Sequence, residues 1–232
     1  MASKQFVNPF KAPLLLGSAS YSRRYILDQH KIPFTKCARP IDEKALGDRL
    51  ADAPSDLVTQ LATAKMEHLL NEMAHGNCAN EMKQAKKKFD TPNDEFLVLT
   101  ADQVVVCRNQ ILEKPESVEQ AIEFCSQYPQ HAPSTVGALV LAHWPSRTTV
   151  AGVDMATIHF APFDAKSLVQ QLVGEQDAPI LSCAGGLMVE HELVQPLVTL
   201  EGTQDSVMGL SVDLLERLLH ELYEKVKSSY SH

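Results

Sequence analysis

The segment Phe96-Leu97-Val98-Leu99-Thr100-Ala101-Asp102-Gln103-Val104-Val105-Val106 sets an acid between two apolar runs. Phe96 to Leu99 and Val104 to Val106 are aliphatic and β-branched enough to read as buried strands. Asp102 at their junction stands beside a core, where an unpaired charge is very costly. It needs a cation: a metal, an Arg or a Lys. Lys114-Pro115 follows twelve residues after the acid, and the proline fixes that lysine on an extended segment.

A chain of 232 residues fits one large domain or a two-lobed one, and 44% hydrophobic residues suffice for a core. No window is long and apolar enough to cross a membrane, and neither Met1 to Lys11 nor the closing Ser-Tyr-Ser-His reads as an address, so a soluble cytoplasmic protein is expected. The five cysteines (Cys37, Cys78, Cys107, Cys125, Cys183) lack CxxC spacing and read as reduced thiols, mostly in the core. A formal charge of −8 argues against a protein that coats nucleic acid, yet allows a small anion in a local basic pocket.

Strands and helices alternate without a strict repeat, which gives α/β or α+β with a mixed sheet. Leu14-Leu15-Leu16 reads as a buried strand, followed by a helix over about 22–30 with Tyr25, Ile26 and Leu27 inward. A second strand is expected at 34–38, and a helix from Pro54 to about Met73 with Ser55 as its N-cap. From Ala74 to Glu95 the composition turns polar, with Lys83, Lys86, Lys87 and Lys88 clustered. This stretch reads as a solvated, partly helical insertion; the alternative is a patch for an anionic partner. Ser117-Val118-Glu119-Gln120 is a capping box opening a helix that carries Ala121, Ile122, Phe124 and Cys125. Strands at 135–143 and 148–160 meet in a hairpin turn at 144–147, with Trp144 on its rim. A short helix follows Asp164, an irregular stretch spans 182–209, and a leucine-striped helix runs from Val212 to Lys227. The expected layout is a tail at 1–12, one domain at 13–228 with the insertion at about 74–95, and a tail at 229–232.

Three places carry chemistry. Gly17 to Arg24 sets small hydroxyl residues between a strand and a helix start, where free N–H groups favour an anion, and Arg23 and Arg24 add fork-shaped donors for phosphate oxygens. The alternative is a serine cap with two exposed arginines. Lys65 falls between Leu61 and Leu69 in an apolar stripe, so it either snorkels to water or enters a pocket to meet an anion. Glu43 and Asp102, reached from different loops, are a pair of carboxylates of the kind that holds Mg²⁺ with water and phosphates. No P-loop is present, Gly185-Gly186 is not a dinucleotide fingerprint, and His191 beside Glu190 and Glu192 lacks HExxH spacing.

In this order the motifs resemble the Maf family of nucleoside triphosphate pyrophosphatases, also known as septum-formation inhibitor proteins. The matching residues are Ser18 to Arg24, Asp42-Glu43, Ala62 to Lys65, Ala101-Asp102-Gln103 and Lys114-Pro115, with Cys183-Ala184-Gly185 and Val207-Met208-Gly209-Leu210 near the end. The resemblance spans Leu14 to Leu219. It implies an elongated, two-lobed α/β architecture of the inosine-triphosphatase-like kind, with a mixed central sheet and a cleft. It also implies hydrolysis of a nucleoside triphosphate between its α and β phosphates with Mg²⁺ or Mn²⁺. Ser18, Arg23, Arg24, Lys65 and Lys114 would then hold phosphates, Glu43 and Asp102 the metal, and Asp102 would accept the proton of the attacking water. A homodimer is the usual assembly of such proteins.

Two subgroups resemble each other closely, one acting on dTTP and UTP, the other on 7-methyl-GTP. Gln103 and Glu190 look like the second, and a carboxylate at 190 suits the donor edge of guanine. Ser22 stands where that subgroup often has a tryptophan, Tyr21 where the first loop usually has proline, and Ser134-Thr135-Val136-Gly137 shifts a usual Thr-Gly pair. The resemblance also carries a reading from another class, a nucleotide-binding regulator of cell division with little turnover.

Overall fold

Leu14–Leu16 (β1) is apolar at every position because it lies between two parallel partners with both faces covered. Those partners are Phe34–Lys36 (β2) and the first part of Phe96–Cys107 (β3), with Leu14 opposite both Phe34 and Leu97. The computed structural model describes residues 6–174 and 180–229; the ends of both expected tails, 1–5 and 230–232, lie outside them. Gln110–Leu112 (β4) and Ser134–Trp144 (β5) pair antiparallel with β3, and Thr148–Phe160 (β6) and Val198–Glu201 (β7) follow. The result is a seven-stranded mixed sheet in the order β2-β1-β3-β5-β6-β7, with β4 beside β3. The expected α/β class with a mixed sheet is what is found.

The two apolar runs around Asp102 are one strand, not two. Asp102 sits in mid-strand opposite Ala138. Alternation along β3 divides its side chains between cores. Phe96, Val98 and Val104 join Leu61, Met66 and Leu69 of helix Pro54–Ala74 (α2) on one face. Leu97, Leu99 and Ala101 meet helices Tyr21–Gln29 (α1) and Val212–Ser229 (α7) on the other. Further along, Val105 and Cys107 pack under helices Val118–Gln127 (α4) and Ala165–Gly174 (α5).

Several helix starts differ from expectation for local reasons. In α1 the cap is Ser20, whose Oγ accepts from the Arg23 amide, so the helix begins at Tyr21. Ile26 and Leu27 are buried as expected, but Tyr25 lies outside and stacks on Tyr21. In α2 Pro54 occupies the first helical position, for which its fixed φ is suited, so Ser55 is inside the helix and Ala53 precedes it without a side-chain cap. Ser117 caps α4 as expected, accepting from the Gln120 amide, while the Gln120 carboxamide reaches back to the Glu116 amide.

The polar stretch at 74–95 contains helix Ala79–Phe89 (α3), and it is not wholly solvated. Cys78 and Ala85 are fully buried and Met82 packs on the α2 core, so an apolar stripe at helical spacing anchors a lysine-rich outer face. The stretch at 182–209, expected to be irregular, follows on a 3₁₀ turn at Ile180–Ser182 and holds two more at Ala184–Gly186 and Gln195–Leu197, β7, and the short helix Gln204–Val207 (α6). Trp144 is half-buried against the α2 core, more a packing residue than a rim one. All five cysteines are free thiols.

α3 is tied to the loop after β2 by Arg39, whose Nη2 lies 2.8 Å from Glu81 Oε1. Burial raises the Glu81 pKa, but the hydrogen bond and charge of Arg39 outweigh it and the net shift is downward. The pair therefore stabilises the fold above the unfolded carboxyl pKa of about 4.3 and loses that contribution as pH falls through the depressed folded value. Glu81→Gln is expected to lower stability by about 1 kcal/mol at pH 7 and by progressively less toward pH 3, in denaturant melts recorded across that range.

Candidate active site

β5 covers one edge of β3 from end to end, but the other edge is shared. β1 pairs there with residues 97–99 and β4 with residues 105–107. Between them lies the stretch that carries Asp102. The last bond of the β1 side is Gly17 N–H to Leu99 O, 2.8 Å. Ala101 O, the next carbonyl on that edge, accepts instead from Arg23 Nη1 at 3.0 Å. A break in the ladder thus exposes backbone and side chains in mid-sheet, at the ends of the parallel strands.

Asp102 points to the α2 face, where Lys65 Nζ lies 2.6 Å from its Oδ1. Lys65 Nζ also lies 3.0 Å from Glu43 Oε1, on the 3₁₀ turn Glu43–Ala45. The lysine therefore enters a pocket and joins two carboxylates rather than snorkelling to water. The Lys65 and Asp102 side chains are only 14% and 10% exposed, so this pair is largely desolvated, whereas Glu43 is half exposed. Burial raises the Asp102 pKa above the ordinary carboxylate value, against the pull of Lys65 and Arg23, and Glu43 adds to the rise. Asp102 Oδ2 has no hydrogen-bond partner among the described residues.

Arg23 approaches from α1. Its Nη1 donates to Ser18 Oγ at 3.2 Å as well as to Ala101 O, and its Nε donates to Gly209 O at 3.0 Å. Burial lowers its pKa while Asp102 and Glu43 raise it, so the guanidinium shares one charge cluster with both acids. Ser18, Arg23, Glu43, Lys65 and Asp102 are thus brought together.

The remaining candidates lie elsewhere. Arg24, one step round α1, turns from Arg23 and stacks by Tyr21 in a cavity of about 370 Å³ with Lys36 and Lys88. Ser22 is half-buried in the first turn of α1. Gln103 points to the sheet face opposite Asp102, donating to Ser206 O and Val207 O at 2.8 and 3.1 Å. Lys114 is exposed beyond β4, and it groups with Cys183 and Glu190. The Cys183 thiol is pushed up to about 11 by burial and then by Glu190, with Lys114 opposing. Glu190 is itself raised by burial.

Two contributors have no sequence signature. Thr100 Oγ1 donates to Ala62 O at 2.8 Å in the buried interface, one turn before Lys65, and so sets the register of α2 on β3. Arg49 donates to Glu43 O at 2.9 Å and reaches Glu113 Oε1 at 3.4 Å, joining the Glu43 turn to the residue before Lys114.

Among the described residues no group of three or more His, Cys, Asp or Glu side chains is arranged for a metal ion. The two carboxylates on Lys65 do fit a hard cation that takes most of its ligands from water and phosphate. No helix among the described residues is long and apolar enough to cross a membrane.

A protein-family model described as Maf-like protein matches residues 13–222. The chain is 30% identical over 210 residues to a 7-methyl-GTP pyrophosphatase of Dictyostelium discoideum, covering 90% of this chain and 97% of that one. It is 32% identical over 213 residues to a 7-methyl-GTP pyrophosphatase of Pseudomonas syringae, covering 90% and 96%. A dTTP/UTP pyrophosphatase of Halalkalibacterium halodurans is 26% identical over 207 residues, covering 89% and 93%.

Thr100→Val keeps the shape and removes the bond to α2. It is expected to cost about 1 kcal/mol of stability and to weaken turnover by loosening Lys65 on Asp102, read from melts and initial rates on the same preparation.

Proposed function

The chain belongs to the Maf family, and from that membership and the cluster around Asp102 we propose that it hydrolyses a nucleoside triphosphate to the monophosphate and pyrophosphate. The observation that carries the reading is an acid in mid-strand with one oxygen held by Lys65 at 2.6 Å and the other without a partner. Oδ2 orients a water and accepts its proton as the water oxygen attacks the α-phosphorus. The bond from that phosphorus to the bridging oxygen breaks, and pyrophosphate leaves. A carboxyl whose pKa is raised by burial is a better base at neutral pH than an exposed one. Ser18, Arg23 and Lys65 hold phosphate oxygens, with Lys114 added through the family motif, so catalysis is mainly positioning and charge stabilisation. Arg24 is kept as a phosphate contact only through the family motif, since its side chain turns to another cavity.

Glu43 and Asp102 would hold Mg²⁺ or Mn²⁺, and such an ion, when bound, makes water more acidic and neutralises phosphate charge. The same reading carries a cytoplasmic location and a homodimer. For the substrate we favour 7-methyl-GTP, supported by the names of the Dictyostelium and Pseudomonas relatives and by a carboxylate, Glu190, suited to the guanine donor edge. The dTTP/UTP preference is the second reading, supported by the Halalkalibacterium relative. A regulator of cell division that binds without turnover is disfavoured, because pure binding has no use for a desolvated acid beside its ligand's phosphates.

The test is pyrophosphate release with Mg²⁺ or Mn²⁺ across 7-methyl-GTP, GTP, UTP and dTTP. Turnover of 7-methyl-GTP ahead of the others is expected; silence on every nucleotide with binding retained would favour the regulator. Asp102→Asn is expected to lower kcat by at least about 100-fold while nucleotide Kd stays within about tenfold, measured by single-turnover kinetics and calorimetry.

A further inference from the structure

We infer that Lys65 occupies the cation position between Glu43 and Asp102 and yields it to a divalent ion only when a nucleotide's phosphates take up its ammonium. The inference rests on Glu43 and Asp102 being the metal-holding acids of the proposed pyrophosphatase.

Three elements converge on one ammonium. Lys65 Nζ comes from α2 to lie 2.6 Å from Asp102 Oδ1 on β3 and 3.0 Å from Glu43 Oε1 on the 3₁₀ turn. A small dication shared by the same two carboxylates needs their oxygens at about 2.1 Å. Drawing both acids onto such an ion presses the ammonium against a like charge, so the two cations compete for one position. Helix α1 adds a second resident cation. Both acids bear on the Arg23 guanidinium, and Arg23 in turn acts on Asp102. Two carboxylates therefore already face two cations, and the cluster has no surplus negative charge to recruit a dication from water. A nucleoside triphosphate supplies that charge.

The lysine is placed so that it can let go. The Thr100 bond to Ala62 O fixes the α2 backbone one turn before it, so any movement falls to the side chain. That side chain is a point charge on a flexible stem. Only one of its three N–H donors is spent in a hydrogen bond, the one to Asp102. The others can take a phosphate oxygen before the acids are released, and the charge never stands unpaired during the exchange. The Glu43 end gives way first, because its side chain is half exposed while that of Asp102 is 10% exposed. Lys65 thus couples the two ligands: phosphate draws the ammonium off, and the carboxylates it leaves become free to hold the ion.

The test titrates Mn²⁺ without nucleotide against wild type, Lys65→Met and Lys65→Arg, followed by electron paramagnetic resonance in mildly alkaline buffer so that protons do not compete for the acids. Wild type is expected to bind the ion with a Kd above about 0.5 mM. Lys65→Met, which keeps the length and removes the charge, should bind it at least about tenfold more tightly, and Lys65→Arg, which keeps the charge, should not. If Lys65→Met fails to fold, wild type still decides. Its Lys65 ammonium resonance should ignore Mg²⁺ alone and shift when Mg²⁺ arrives with the non-hydrolysable α,β-methylene analogue of GTP. A wild-type Kd for Mn²⁺ below about 0.5 mM, equal binding by wild type and Lys65→Met, or a shift of the ammonium with Mg²⁺ alone overturns the inference. If wild-type protein turns over no nucleotide, the pyrophosphatase reading falls by itself, and the Mn²⁺ titrations, which use none, still decide this one.

Discussion

A carboxylate in the middle of a buried strand is tolerable only if its charge is met where it stands, and that requirement organises the surrounding structure. Lys65 meets it from α2, and the pair is desolvated enough that losing Lys65 would strand the acid's charge at a cost of about 3–5 kcal/mol. The packing of α2 on β3 is thereby fixed in register as well as in face. Thr100 adds the neutral bond that holds this register, and Gly17 lets β1 end close to it: a Cβ there would lie 2.8 Å from both Leu69 and Thr100. Stability and chemistry at this point draw on the same contacts.

The topology supplies the opening. Because β1 and β4 share one edge of β3 without meeting, the middle of the strand is left without a ladder partner on that side. Arg23 fills one of the vacated backbone positions, so a cation of the Asp102 cluster is itself part of the sheet edge. Gly185 performs a related task in the other half of the sheet. Its amide donates to Glu113 O and its carbonyl accepts from Tyr128 at 2.5 Å, which brings the turn bearing Cys183 beside Lys114. The positive φ of Gly185 and the 2.8 Å approach of a Cβ to the Tyr128 hydroxyl explain a glycine at that point.

Much of this was legible in the chain. The apolar stripes of α2 and α7, the hairpin after Trp144, the Ser117 cap and the acid near a core all follow from local rules. The errors are local in origin too. Asp102 interrupts two apolar runs, and a period-2 pattern cannot tell two strands from one that carries an acid on a single face. The lysines of α3 outweigh Cys78, Met82 and Ala85 in composition, although those three at helical spacing are what bury it. β7 and α6 are too short for any periodicity to register.

The sequence by itself determined which chemical groups this protein owns and which face of its own element each occupies, because side-chain direction follows from a period of 2 or 3.6 residues. It placed Lys65 in an apolar stripe, Arg23 beside a strand end and Glu43 after a strand. Only the tertiary structure decided which of them meet. The 2.6 Å between Lys65 and Asp102 and the 3.0 Å between Arg23 and Gly209 span long stretches of chain, and each depends on how whole elements dock. Arg23 and Arg24 are adjacent in the chain yet face different cavities, since one helical step turns a side chain by about 100°.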